Sequence, residues 1–138
     1  MVSVSLIRAN SYDISSLQES LESLLEPLGG MSAFVKTGDR VLLKPNLLTG
    51  SRPTKECVTR PEVVYCIAKM VIKAGGKPFL GDSPAFGSVI GVAKANGYLP
   101  LLEELQIPAI EFHGKNYETG SNNFQNLRLS KEAMDADV

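Results

Sequence analysis

Residues 40–46 read Arg-Val-Leu-Leu-Lys-Pro-Asn, and residues 77–84 read Lys-Pro-Phe-Leu-Gly-Asp-Ser-Pro. In the first stretch the apolar residues Val41, Leu42 and Leu43 run without alternation, as in a strand covered on both faces. Pro45 cannot donate to a sheet ladder, so that strand ends before it. Residues 77–81 make a second short strand. Between the two lies a helix signal. Thr59 and Glu62 have capping-box spacing, and Pro61 sits in the first turn, where a missing N–H does no harm. Val63, Val64, Ile67, Val71 and Ile72 then face the sheet at helical spacing, and Gly75-Gly76 stops the helix. Two strands joined by a helical crossover form the unit of a parallel sheet.

The same alternation continues outward. Val2 to Arg8 (VSVSLIR) alternates apolar and polar residues and is expected to be a strand. Leu17, Leu21, Leu24, Leu25 and Leu28 form one face of a helix that opens with a capping box at Ser16 and Glu19 and stops at Pro27 and Gly29-Gly30. Residues 47–55, with Gly50, Ser51, Pro53 and Thr54, read as a loop. After the turn at 82–88, a helix over about 88–96 ends at Gly97. A short helix over 100–105 and a fourth strand over 107–112 come next. The polar stretch 113–126 reads as a loop or an edge hairpin, 127–129 as a short strand and 130–134 as one helical turn. The order β-α-β-α-β-α-β predicts an α/β fold: a three-layer, open, mainly parallel sheet of about four strands with helices on both faces. No linker or repeat interrupts it, so residues 1–138 are expected to form a single domain.

Composition bounds the function. Of 138 residues, 43% are hydrophobic and 21% charged, which excludes the disordered class. A formal net charge of -1 argues against a nucleic-acid partner. There is no run of 18 apolar residues and no charged head followed by an apolar run, so neither a membrane span nor a signal peptide is expected. Two cysteines and no Asn-x-Ser/Thr site favour a cytoplasmic setting.

In an open parallel sheet, ligands bind outside the carboxyl ends of the strands. The residues there are Lys44 and Asn46, then Asp82 and Ser83, then His113, with Asn10 and Ser11 after the first strand. Lys44 ends an apolar run, so its charge must reach solvent, a carboxylate or an anionic ligand. Asn46 brings two donors and an acceptor, or simply makes a turn. Asp82 can cap the following helix, orient Lys44 or bind a metal. The backbone N–H groups of Ser83 and the helix start, with Gly81 and Gly87 allowing close approach, can hold an anion. Thr59 caps its own helix and offers that helix's N-terminus to the same ligand. The rim set is therefore Lys44, Asn46, Thr59, Asp82 and Ser83, expected to bind a small anionic or phosphate-bearing ligand. His113 is the only histidine and the weaker acid/base candidate. Cys57 and Cys66 lack metal spacing and are expected to be reduced and unmetallated. No G-x-G-x-x-G, P-loop, G-x-S-x-G or H-E-x-x-H motif is present.

Val41 to Asn46, Val58 to Val64, and Gly81 to Pro84 followed by Gly87-Ser88 together resemble the N-terminal half of the domain of unknown function 362 family. Members of that family are described as iron–sulfur-cluster-binding or ferredoxin-linked proteins. The resemblance implies part of an iron–sulfur-associated redox protein. Its members are longer and continue into a strand ending in an Asn-x-Pro-Lys-x-Lys-x-His type of motif, so the chain reads as truncated at Val138. The family's cysteine-rich segment is absent, so no cofactor is expected in this chain. Two other readings stand beside anion binding. One is a metal-assisted phosphoryl or acyl transfer enzyme with Asp82 as base or metal ligand and Lys44 stabilising charge. The other is a non-catalytic module that self-associates, most simply as a homodimer, through an uncovered sheet edge or the 116–126 segment.

Overall fold

Apolar runs at 41–43 and 79–80 can be buried only if helices cover them, and the chain supplies those helices as crossovers. The structure, a computed structural model, describes residues 4–50, 57–118 and 126–138. Strands β1 (Arg40–Leu43), β2 (Lys77–Asp82) and β3 (Ala109–Glu111) form a parallel sheet in the order β1-β2-β3. Helix α1 (Ile14–Leu25) precedes β1. Helix α2 (Pro61–Lys73) connects β1 to β2, and α3 (Val89–Ala95) and α4 (Leu99–Glu104) connect β2 to β3. The α/β class, the open parallel sheet and the flanking helices are as the alternation predicts.

Register explains the core. Leu43 pairs with Leu80 and Leu80 with Ala109, which places their side chains on one face. Val64, Ala68 and Val71 of α2 cover that face, together with Val89, Val92 and Ala93 of α3, Tyr98, and Leu102 of α4. A smaller cluster, Leu17 with Tyr65 and Cys66, fastens α1 to α2.

The strand expected at Val2–Arg8 is a correction. The described part of it carries no regular secondary structure, and Val4 and Leu6 are 88% and 95% exposed. Alternation creates a strand face but cannot choose a sheet edge. The outer edge of β1 is taken by the opposite end of the chain. Leu42 N donates to Val138 O at 2.8 Å, and Val138 N donates to Arg40 O at 3.3 Å, a parallel pattern.

Two caps also differ from expectation. Asp13, not Ser16, caps α1, accepting from Ser16 N at 3.0 Å. Arg60, whose side chain has no acceptor, occupies the N-cap position of α2 without a side-chain bond, and the Thr59 hydroxyl is engaged elsewhere. The polar segment after β3 is a hairpin. Strand β4 (Gly114–Glu118) pairs antiparallel with β5 (Asn126–Ser130), which runs into the single turn α5 (Lys131–Met134). Of the loop expected at 47–55, residues 51–55 lie outside the described residues, as do residues 119–125 of the polar segment.

Candidate functional site at the carboxyl rim

β1 and β2 end side by side, so the residues just past each strand meet at one rim. Lys44 leaves β1 and places its Nζ 2.6 Å from Asp82 Oδ1 at the end of β2. The aspartate side chain is 6% exposed, whereas the lysine side chain is 56% exposed. Asp82 Oδ2 accepts the Leu47 N–H at 2.7 Å, and Leu47 is fully buried. Asp82 is therefore the fastener of the loop after β1. Burial pushes its carboxyl up. The Lys44 ammonium and the N–H groups of Leu47 and Ser83 together outweigh that, so its pKa lies below the usual value. With both oxygens engaged, Asp82 neither caps the next helix nor stands ready as a base.

Asn46 and Thr59 are also brought together, as a clamp between loops. Asn46 N donates to Thr59 Oγ1 at 3.0 Å, Thr59 N donates to Asn46 O at 3.2 Å, and Asn46 Nδ2 donates to Cys57 O at 2.6 Å. The expected capping role of Thr59 is thus replaced by a bond across the rim. Ser83 is exposed beside Asp82. The structure therefore groups Lys44, Asp82 and Ser83 at one strand end and ties Asn46 to Thr59 next to them.

The anion expected at the start of α3 is supplied by the protein itself. Glu111 Oε1 accepts the Val89 N–H at 2.7 Å, and Ser88 Oγ accepts the Gly91 N–H at 3.0 Å. A carboxylate at a helix start satisfies orphan donors and the helix dipole, so the position is filled. Glu111 ends β3 as Lys44 follows β1, and the same strand-end rule could have found it. Tyr98 carried no such signal. It is 1% exposed, and its hydroxyl donates to Thr59 O beneath the clamp. Burial, then the Glu62 and Asp82 carboxylates, push that hydroxyl above its usual range. Glu62 sits in the first turn of α2 with one buried carboxylate oxygen that lacks a hydrogen-bond partner among the described residues.

His113 does not join this group. Its Nδ1 lies 2.7 Å from Glu132 Oε1, and its N–H donates to Glu132 Oε2 at 2.8 Å. Ser130 Oγ donates to the same oxygen at 3.1 Å. The His113 N–H, then the glutamate's own N–H, bring the Glu132 pKa down to about 2; desolvation opposes them, and the His113 ring and Ser130 lower it further. This arrangement latches α5 to the end of β3.

An iron–sulfur cluster does not fit this chain. Such clusters are held by four cysteine thiolates. Here Cys57 is half-buried ahead of α2 and Cys66 is sealed inside, its Sγ facing Ile14 O at 3.7 Å. Burial pushes the Cys66 thiol up, away from the thiolate a metal needs. Among the described residues no three His, Cys, Asp or Glu side chains are grouped to hold a metal ion. A cleft of about 860 Å³ lies at the opposite end of α2, lined by Glu19, Glu22, Met31, Met70 and Lys73. No helix of the described residues is long and apolar enough to cross a membrane.

Residues 41–138 match the family described as Domain of unknown function (DUF362). The chain is 68% identical over 136 residues to the "Thylakoid-associated protein sll1697" of Synechocystis sp. (strain ATCC 27184 / PCC 6803 / Kazusa). That alignment covers 99% of this chain and 42% of the relative, so the chain spans less than half the relative's length. No solved structure matches it.

Proposed function

The chain belongs to the DUF362 family, and for this member we propose that the carboxyl rim of the parallel sheet binds a small anion, a carboxylate or a phosphate-bearing metabolite. The Lys44–Asp82 pair carries the reading: Asp82 orients the ammonium of a lysine whose side chain is still 56% exposed, and one contact leaves N–H donors for a ligand. In this reading Ser83 adds a hydroxyl, and the Asn46–Thr59 clamp sets the shape of the rim. Asp82 is a positioning residue, since both its oxygens are used. That engagement disfavours the transfer-enzyme reading, which needs a free base or metal ligand there.

Titration with inorganic phosphate and with acetate, followed by amide chemical shifts, tests the site. Shifts confined to residues 44–47 and 81–84, abolished in Lys44→Met, are the expected result. No shift in the wild type up to roughly ten millimolar ligand would sink the proposal.

Association with an iron–sulfur redox partner belongs to this proposal only through the longer family architecture, since the chain's own cysteines do not fit a cluster. The relative's name states a thylakoid association for that protein, and the location proposed for this chain is cytoplasmic with such an association. Self-association is a second reading, favoured by the exposure of Val4 and Leu6.

A further inference from the structure

We propose that residues 4–8 are an unpaired strand that adds to the outer edge of β3 in a second copy of this chain. The proposal rests on the self-association reading above and names its surface. Two separate places in the molecule carry it.

The first is the segment itself. Val4 and Leu6, two residues apart, share one side of an extended chain, and both are almost fully exposed. Among the exposed large hydrophobic side chains of the described residues they rank highest. The segment thus has a strand's pattern and an apolar face, with no ladder against it.

The second is the edge. β3 ends the sheet order. Leu80 N donates to Pro108 O at 2.8 Å, and Leu80 pairs with Ala109. In that register Ile110 turns its N–H and C=O toward β2. Ala109 and Glu111 turn theirs outward, where they have no backbone partner among the described residues. Open edges of this kind pair readily, and an extended segment adds to them through main-chain hydrogen bonds. β1 is not the acceptor, because residues 137–138 occupy its outer edge.

One chain therefore holds both a strand without a sheet and a sheet edge without a strand. In its own copy the two are not paired. Tyr12, just after the segment, lies against Arg60 at 4.8 Å, and Asp13 caps α1, so the segment leaves the body at the start of α1. Two copies related by a two-fold axis form the same contact twice, and this reciprocity selects a second copy as the occupant.

Analytical ultracentrifugation of the wild type, Ala109→Pro, Leu6→Asp and an equimolar mixture of the two variants tests this. Proline at 109 removes an outward N–H, a position an edge strand tolerates, and replaces a half-buried side chain on the core face. Leu6→Asp changes an exposed side chain. Unchanged urea midpoints verify that both variants keep the fold. The expected result is a wild-type dimer, at least about tenfold weaker association in each variant, and tighter association in the mixture than in either variant alone. The mixture still offers one intact segment to one intact edge. A wild-type monomer throughout overturns self-association and strand addition together. A dimer that both variants leave intact overturns strand addition alone.

Discussion

Replacing Asp82 by alanine removes the acceptor that fastens the loop after β1, and the structure sets the size of the loss. Leu47 is fully buried, and its N–H points at Asp82 Oδ2 from 2.7 Å. A buried donor left without a partner costs about 1–3 kcal/mol. The Lys44 ion pair adds about 0–1 kcal/mol, because the lysine side is more than half exposed and screened. Asp82→Ala should therefore lose roughly 1–4 kcal/mol. Urea unfolding at neutral pH should show a lower midpoint with an unchanged slope. Lys44→Met should lose under about 1 kcal/mol in the same assay. The ordering matters more than either value. If the two variants fall equally, the Leu47 bond is not what Asp82 is for, and the fastening argument fails. The pH dependence has a defined sign. The folded pKa of Asp82 lies below its unfolded value of 3.8, so its stabilisation is complete above that value and is lost as pH falls through the folded one. The acid limb of the stability curve should be flatter in Asp82→Ala.

Two other outcomes rest on single positions. A Cβ at Gly81 would lie 2.4 Å from Phe112 Cε1 and 3.1 Å from Leu42 Cδ1, so Gly81→Ala must displace a ring and should cost about 1–3 kcal/mol; an unchanged melting temperature would contradict the packing. Glu132 is held at about 2 against an ordinary 4.5, so the His113 latch should persist above the ordinary value and open as pH falls toward the folded one. A carboxyl-carbon NMR titration of Glu132 with a midpoint near 4.5 would show that the latch is not formed.

Local chemistry was legible wherever a residue's partners are near in sequence or periodic along it. The β1-α2-β2 unit comes from the run at 41–43, the α2 spacing and the Gly75-Gly76 stop, all read within a few turns. Lys44 and Asp82 were legible as a pair because a parallel sheet sends successive strand ends to the same rim. The caps were less so. Ser16 and Thr59 both have capping-box spacing, but Asp13 lies one turn earlier at α1, and Thr59 finds a better-placed donor in Asn46 across the rim. Spacing records which side chains could cap a helix; it does not record what else competes for them.

What the sequence by itself determined is the class of fold, the place where β1 ends and the identity of the charged groups at the rim. Those depend on hydrophobic period, on proline's missing donor and on the cost of burying charge, and each acts over a few residues. Tertiary structure alone decided which edge each strand joins and which donor each carboxylate takes. Residues 4–8 have a strand's pattern yet stay out of the sheet, while residues 137–138, far along the chain, bond to β1. Glu111, not a ligand, meets the start of α3, and the Leu47 N–H, not a helix, meets Asp82. Edge pairing and buried hydrogen bonds join residues tens of positions apart, and no local pattern ranks such competitors. Only the packed chain, in which each buried donor must find one acceptor, makes that choice.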